Sequence, residues 1–108
     1  MYPPYDINKF IERIKDKDYL DILNDAQREV YMAESGTSGV KGAVKKREAG
    51  ALEYAADLKG LIFFLGSGIK PHGVSDRVFF SFEPICKNLV DKKRLKPEVL
   101  ELFSKQNR

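Results

Sequence analysis

The chain has 108 residues, of which 43% are apolar and 32% charged, with a net charge of +3; one domain around one core is expected, and folding should bury roughly 65% of the unfolded surface. The longest apolar run, Leu61 to Leu65, is far short of the ~20 residues that span a bilayer, so no membrane partner is expected. Cys86 and His72 are each the only residue of their type, which excludes an internal disulfide and a structural zinc site, and neither a metal nor any other cofactor is expected.

The chain opens on Tyr2-Pro3-Pro4-Tyr5, which cannot start a helix before Pro4 and reads as an extended arm over residues 1–5. This start has neither the basic residues nor the apolar stretch of a secretory signal, and with a single thiol it points to a reducing, cytoplasmic setting. Asp6 offers an N-cap, and Ile7, Phe10, Ile11 and Ile14 follow at helical spacing, predicting a helix over about residues 6–15. Lys15-Asp16-Lys17-Asp18 interrupts that apolar face. Asp18 can cap a second helix bearing Leu20, Ile22, Leu23, Ala26, Val30 and Ala33 and ending near Ser35-Gly36. Nothing between Lys15 and Asp18 forbids helix, so two separate helices and one bent helix both fit.

Ser35 to Gly42, SGTSGVKG, is the clearest loop in the chain, a stop for one helix and, at Ser38, a cap for the next. The next helix is predicted over about residues 40–66, with Val44, Ala51, Ala55, Leu58, Ile62 and Leu65 as an apolar seam broken only by Glu48. Some 27 residues make ~40 Å of helix, longer than a compact domain of this size is wide. The helix should therefore protrude, bend or pair with a second copy. Gly50 and Gly60 inside it mark a bend or a close approach. The seam is narrow at Ala51 and Ala55, where another helix can come near, and apolar all round at Leu61 to Leu65, which should be buried.

Gly66 to Asp76 reads as a second loop, and Val78 to Phe82 as either a buried strand or a helical turn capped by Ser75 or Asp76. The lack of a partner strand favours the turn. Pro84 suits the first position of a helix bearing Ile85, Cys86, Leu89 and Val90, and Pro97 that of a last one bearing Val99, Leu100 and Phe103. The expected fold is a single all-α domain over residues 1–108, with five or six helices packed around the long central one.

Charge is distributed unevenly. Residues 1–35 hold five bases against eight acids, net −3, and residues 36–108 hold fourteen against eight, net +6. Lys41, Lys45, Lys46 and Arg47 crowd the start of the long helix, where the helix dipole disfavours cations. A glycine-rich loop feeding such a helix start suits a phosphate or a nucleic-acid backbone, with Ser38, Gly39, Lys41, Lys45, Lys46 and Arg47 as candidate contacts. The segment is no P-loop, since it lacks the Gly-Lys-Ser/Thr ending and a preceding strand. Lys92-Lys93-Arg94 with Lys96 is a second basic cluster, in a place the dipole of its own helix also rewards.

Catalytic candidates are few. Cys86 falls in the first turn of its helix, which lowers a thiol pKa, and His72 is its only conceivable imidazole partner; a buried thiol is the commoner outcome. The polar loop with Lys70, His72, Asp76 and Arg77 is the candidate small-ligand site. Phe63, Phe64, Phe79, Phe80 and Phe82 read as core, and Tyr2, Tyr5, Tyr19, Tyr31 and Tyr54 as surface. The leading expectation is a non-enzymatic protein-interaction or regulatory module, self-associating through Gly50, Ala51 and Ala55 or binding a protein partner. Phosphate or nucleic-acid binding is the alternative.

Overall fold

Three devices written in the sequence divide the chain into short helices: side-chain caps, glycines at left-handed positions, and prolines. A computed structural model of the chain describes residues 5–35 and 50–106, and these form six α-helices with no strand among them. Helix α1 (Ile7–Ile14) starts where the Asp6 carboxylate accepts from the Asn8 N–H at 3.0 Å, and it buries Ile7, Phe10, Ile11 and Ile14. A turn at residues 15–18 separates it from α2 (Tyr19–Ser35), so these are two helices, not one bent one. Helix α2 buries Ile22, Ala26, Val30 and Ala33, whereas Leu20 points to solvent.

The central helix α3 (Ala51–Ser67) starts later than the sequence suggests. Gly50 lies at φ +81°, in the left-handed region that an α-helix cannot pass through, and so a single helix over 40–66 is broken at that glycine. Its expected first ten residues, with the loop and caps around Ser38, fall outside the described residues. At the other end Gly66 lies within the last turn, and the cap is Gly68, at φ +72°, whose N–H donates to Phe64 O at 2.8 Å. Helices α2 and α3 form the largest helix–helix contact. They run antiparallel, since Tyr19 at the start of α2 donates its hydroxyl to Leu65 O near the end of α3 at 3.0 Å.

Gly60 marks a close approach, although of a loop and not of a helix. It is buried, and a β-carbon there would overlap Val74 Cγ2 and sit 3.6 Å from Pro71 Cβ. The loop over residues 68–75 thus lies directly on α3. Val78 to Phe82 is helical: α4 (Asp76–Ser81) is capped by Ser75, whose Oγ accepts from the Val78 N–H. Helix α5 (Glu83–Asp91) has Pro84 in its first turn, and α6 (Val99–Gln106) follows a turn at Pro97.

The core gathers at the far end of α3. Phe64 meets Phe79 at 5.2 Å and Phe103 at 5.7 Å, both edge-on, while Phe79 stacks on Phe103 at 4.7 Å. Each such pair adds about 0.5–1.5 kcal/mol beyond burial, which binds α3, α4 and α6 into one unit. Two aromatic assignments change. Tyr54 is buried, under Tyr5 at 4.5 Å and edge-on to Phe10, and Phe63 is half exposed on the outer side of α3.

Candidate functional site

Among the described residues, those singled out in the sequence do not converge on one place. Ser38, Gly39, Lys41, Lys45, Lys46 and Arg47 lie outside the described residues. Ala51 and Ala55 are buried in the chain's own core, so a second copy cannot reach the narrow seam without unpacking α3, and Gly50 beside them is half-buried. In the loop, the Lys70 ammonium pairs with Asp76 at 2.8 Å and lies 5.4 Å above the Phe79 ring. That arrangement ties the loop to α4. His72 and Arg77 are exposed.

Cys86 is fully buried, and burial first, then the Glu83 charge, pushes its thiol up to about 12. The helix-start argument for a reactive thiolate therefore fails, because desolvation outweighs the dipole. Burial also raises Tyr54, with Glu29 adding to it, and raises Asp57, with Glu53 adding and Arg77 opposing. Asp57 is half-buried. Among the described residues no group of acids, histidine and cysteine is arranged to hold a metal ion.

Two surface features are built across helices. The first is a cleft of about 180 Å³ between α1 and α2, walled by Phe10 and Ile14 and carrying five charges. These charges satisfy one another: Arg13 bonds Glu29 at 3.1 Å and lies over the Phe10 ring, while Asp25 takes both Lys17 and Arg28. Lys17 is the main cause of the lowered Asp25 pKa. The cleft is a structural clasp.

The second is an apolar flank. On α3, Leu52, Ala56, Lys59 and Phe63 recur at i, i+4, i+7 and i+11, one face of a helix. On α2, Leu20, Gln27, Tyr31 and Glu34 recur at i, i+7, i+11 and i+14, again one face. The Lys59–Glu34 ion pair, at 2.7 Å, joins the two faces on the same side of the molecule. Leu20, Tyr31, Leu52 and Phe63 are exposed by 69, 70, 56 and 50% there, on two adjacent antiparallel helices.

No family model, curated protein or solved structure matches the chain. The site must therefore be read from its own chemistry. The flank escapes a reading based on the apolar seam because that reading follows the buried phase of each helix. Its signal is the second, weaker phase: Leu20 with Tyr31, and Leu52 with Phe63, each eleven residues apart and off the buried face. No helix among the described residues is long and apolar enough to cross a membrane.

Proposed function

We propose that the protein is a non-enzymatic helical interaction module that self-associates through the outer flank of α2 and α3, in a reducing, cytoplasmic setting that its one buried thiol suits. The observation that carries this reading is the set of four exposed large side chains, Leu20, Tyr31, Leu52 and Phe63, around the Lys59–Glu34 pair. Such a face is self-complementary. A two-fold pairing sets apolar rows against each other and offers Lys59 of one copy to Glu34 of the other, as an isologous interface requires.

Magnitudes make the dimer weak. Covering side chains already half in contact with the protein gives roughly 1 kcal/mol each, or about 8 for two copies. Association costs about 4–15 kcal/mol. The surplus is at most about 4 kcal/mol, so pairing should be concentration-dependent and no tighter than about millimolar. In sedimentation velocity across a concentration series, the wild type should shift toward dimer, and Leu52→Glu with Phe63→Glu should stay monomeric with an unchanged circular dichroism spectrum. A wild type that stays monomeric at every accessible concentration would sink self-association.

A further inference from the structure

A basic cleft after α5 goes beyond this reading. Helix α5 ends in a left-handed turn at Lys93, φ +60°, where the N–H groups of Lys93 and Arg94 donate to Val90 O at 2.9 Å and to Leu89 O at 2.7 Å. This pair of bonds is a Schellman ending, whose left-handed position glycine fits without strain. Here a lysine holds it. The chain then turns again through Lys96 and Pro97 into α6, and the two turns flank an open, shallow cleft of about 340 Å³ lined by Val90, Lys93, Arg94, Leu95, Lys96 and Pro97.

The neighbouring base, Lys92, has structural work: its ammonium donates to Asp16 O at 3.1 Å and pairs with Asp18 at 3.6 Å. Lys93, Arg94 and Lys96 are exposed, and among the described residues no carboxylate comes within ion-pair distance of any of them. The helix dipole rewards cations only within the last turn. It accounts for Lys92 and leaves Lys96, in the second turn, without a reason. Three like charges held around one cleft repel one another unless an anion lies between them.

We propose that this cleft binds a phosphate group. The Arg94 guanidinium presents a planar fork to two phosphate oxygens, and Lys93 and Lys96 supply point charges. Val90, Leu95 and Pro97 form an apolar wall for the organic part of the ligand, and the volume lies at the small end of ligand pockets. Phosphate of this kind comes from a small nucleotide or from a nucleic-acid backbone.

A residue-resolved NMR titration of the full chain tests the site, with adenosine monophosphate in one arm and a short single-stranded oligonucleotide in the other, at low salt. The amides of residues 93–96 should shift with at least one probe. Reversing Lys93, Arg94 and Lys96 together to Glu should abolish that shift, and the Gln triple variant serves if the reversal perturbs the fold. A response to the mononucleotide assigns the site to small phosphates. A response to the oligonucleotide alone assigns it to a backbone, in which each of the three bases neutralises one phosphate and binding weakens roughly eighteenfold for a fourfold rise in salt. Silence of these amides with both probes, or binding that survives the triple variant unchanged, overturns the proposal.

Discussion

At Gly60, two residue-scale effects oppose each other and one clearly dominates. Alanine inside a helix is worth about 1 kcal/mol over glycine. A β-carbon at this glycine, however, overlaps Val74 Cγ2 in the loop that crosses α3. Overpacking of this kind costs about 1–3 kcal/mol, and valine is stiff about its first torsion, so it does not swing aside freely. Gly60→Ala should therefore lower stability in urea by about 1 kcal/mol, and in a Val74→Ala background the same change should be stabilising. A gain from Gly60→Ala alone would show that the loop does not rest on the helix. Gly66, by contrast, has open space where a β-carbon would go and carries no such requirement.

Elements are held less by their own propensity than by what pins their ends. Helix α5 is anchored where Asn88 Nδ2 donates to Lys15 O at 2.8 Å and Lys92 reaches Asp16 and Asp18, which clamps the turn between α1 and α2 against it. Lys93, just past the α5 C-cap at Lys92, sits in the left-handed region, where an L side chain costs about 1–2 kcal/mol. Lys93→Gly should raise the unfolding free energy by about 1 kcal/mol while weakening any anion binding at the cleft. Thermal unfolding beside the NMR titration measures both. A stability loss on Lys93→Gly would mean that the lysine side chain makes a contact worth more than the strain.

On the scale of the whole molecule, the buried thiol makes stability depend on alkaline pH. Cys86 is raised from its ordinary 9.0 to about 12 in the folded chain. The folded state thus holds the proton where the unfolded state releases it. Its contribution is complete below about pH 9 and is lost as pH rises toward 12; Tyr54, also raised by burial, acts in the same direction. Urea unfolding measured from neutral pH upward should show a steeper decline for the wild type than for Cys86→Ala. In the folded protein the thiol should also resist alkylation near neutral pH and react only on unfolding. Equal slopes for the two proteins would contradict a buried, neutral thiol.

What the sequence determined by itself is local. The Asp6 cap, a cap at Ser75 or Asp76, the starts near Pro84 and Pro97 and the apolar faces of α1 and α2 follow from side chains a few residues apart, so an all-α chain was legible, whereas the start of α3 at Gly50 was not. Contacts distant in the chain were decided only by the tertiary structure. Whether the small residues Ala51 and Ala55 face a second copy or the chain's own core depends on where the rest of the chain packs, and both are buried. Whether Phe63 is core and Tyr54 surface depends on which side of α3 the other helices take; packing reversed both. The thiol pKa follows the same logic, since the helix start lowers it locally while burial by distant segments raises it more. The basic run at 92–96 could be read in the sequence, yet which of its charges are already used is visible only once Asp16 and Asp18 are seen beside Lys92. A folded chain brings such partners together at separations that no periodicity encodes.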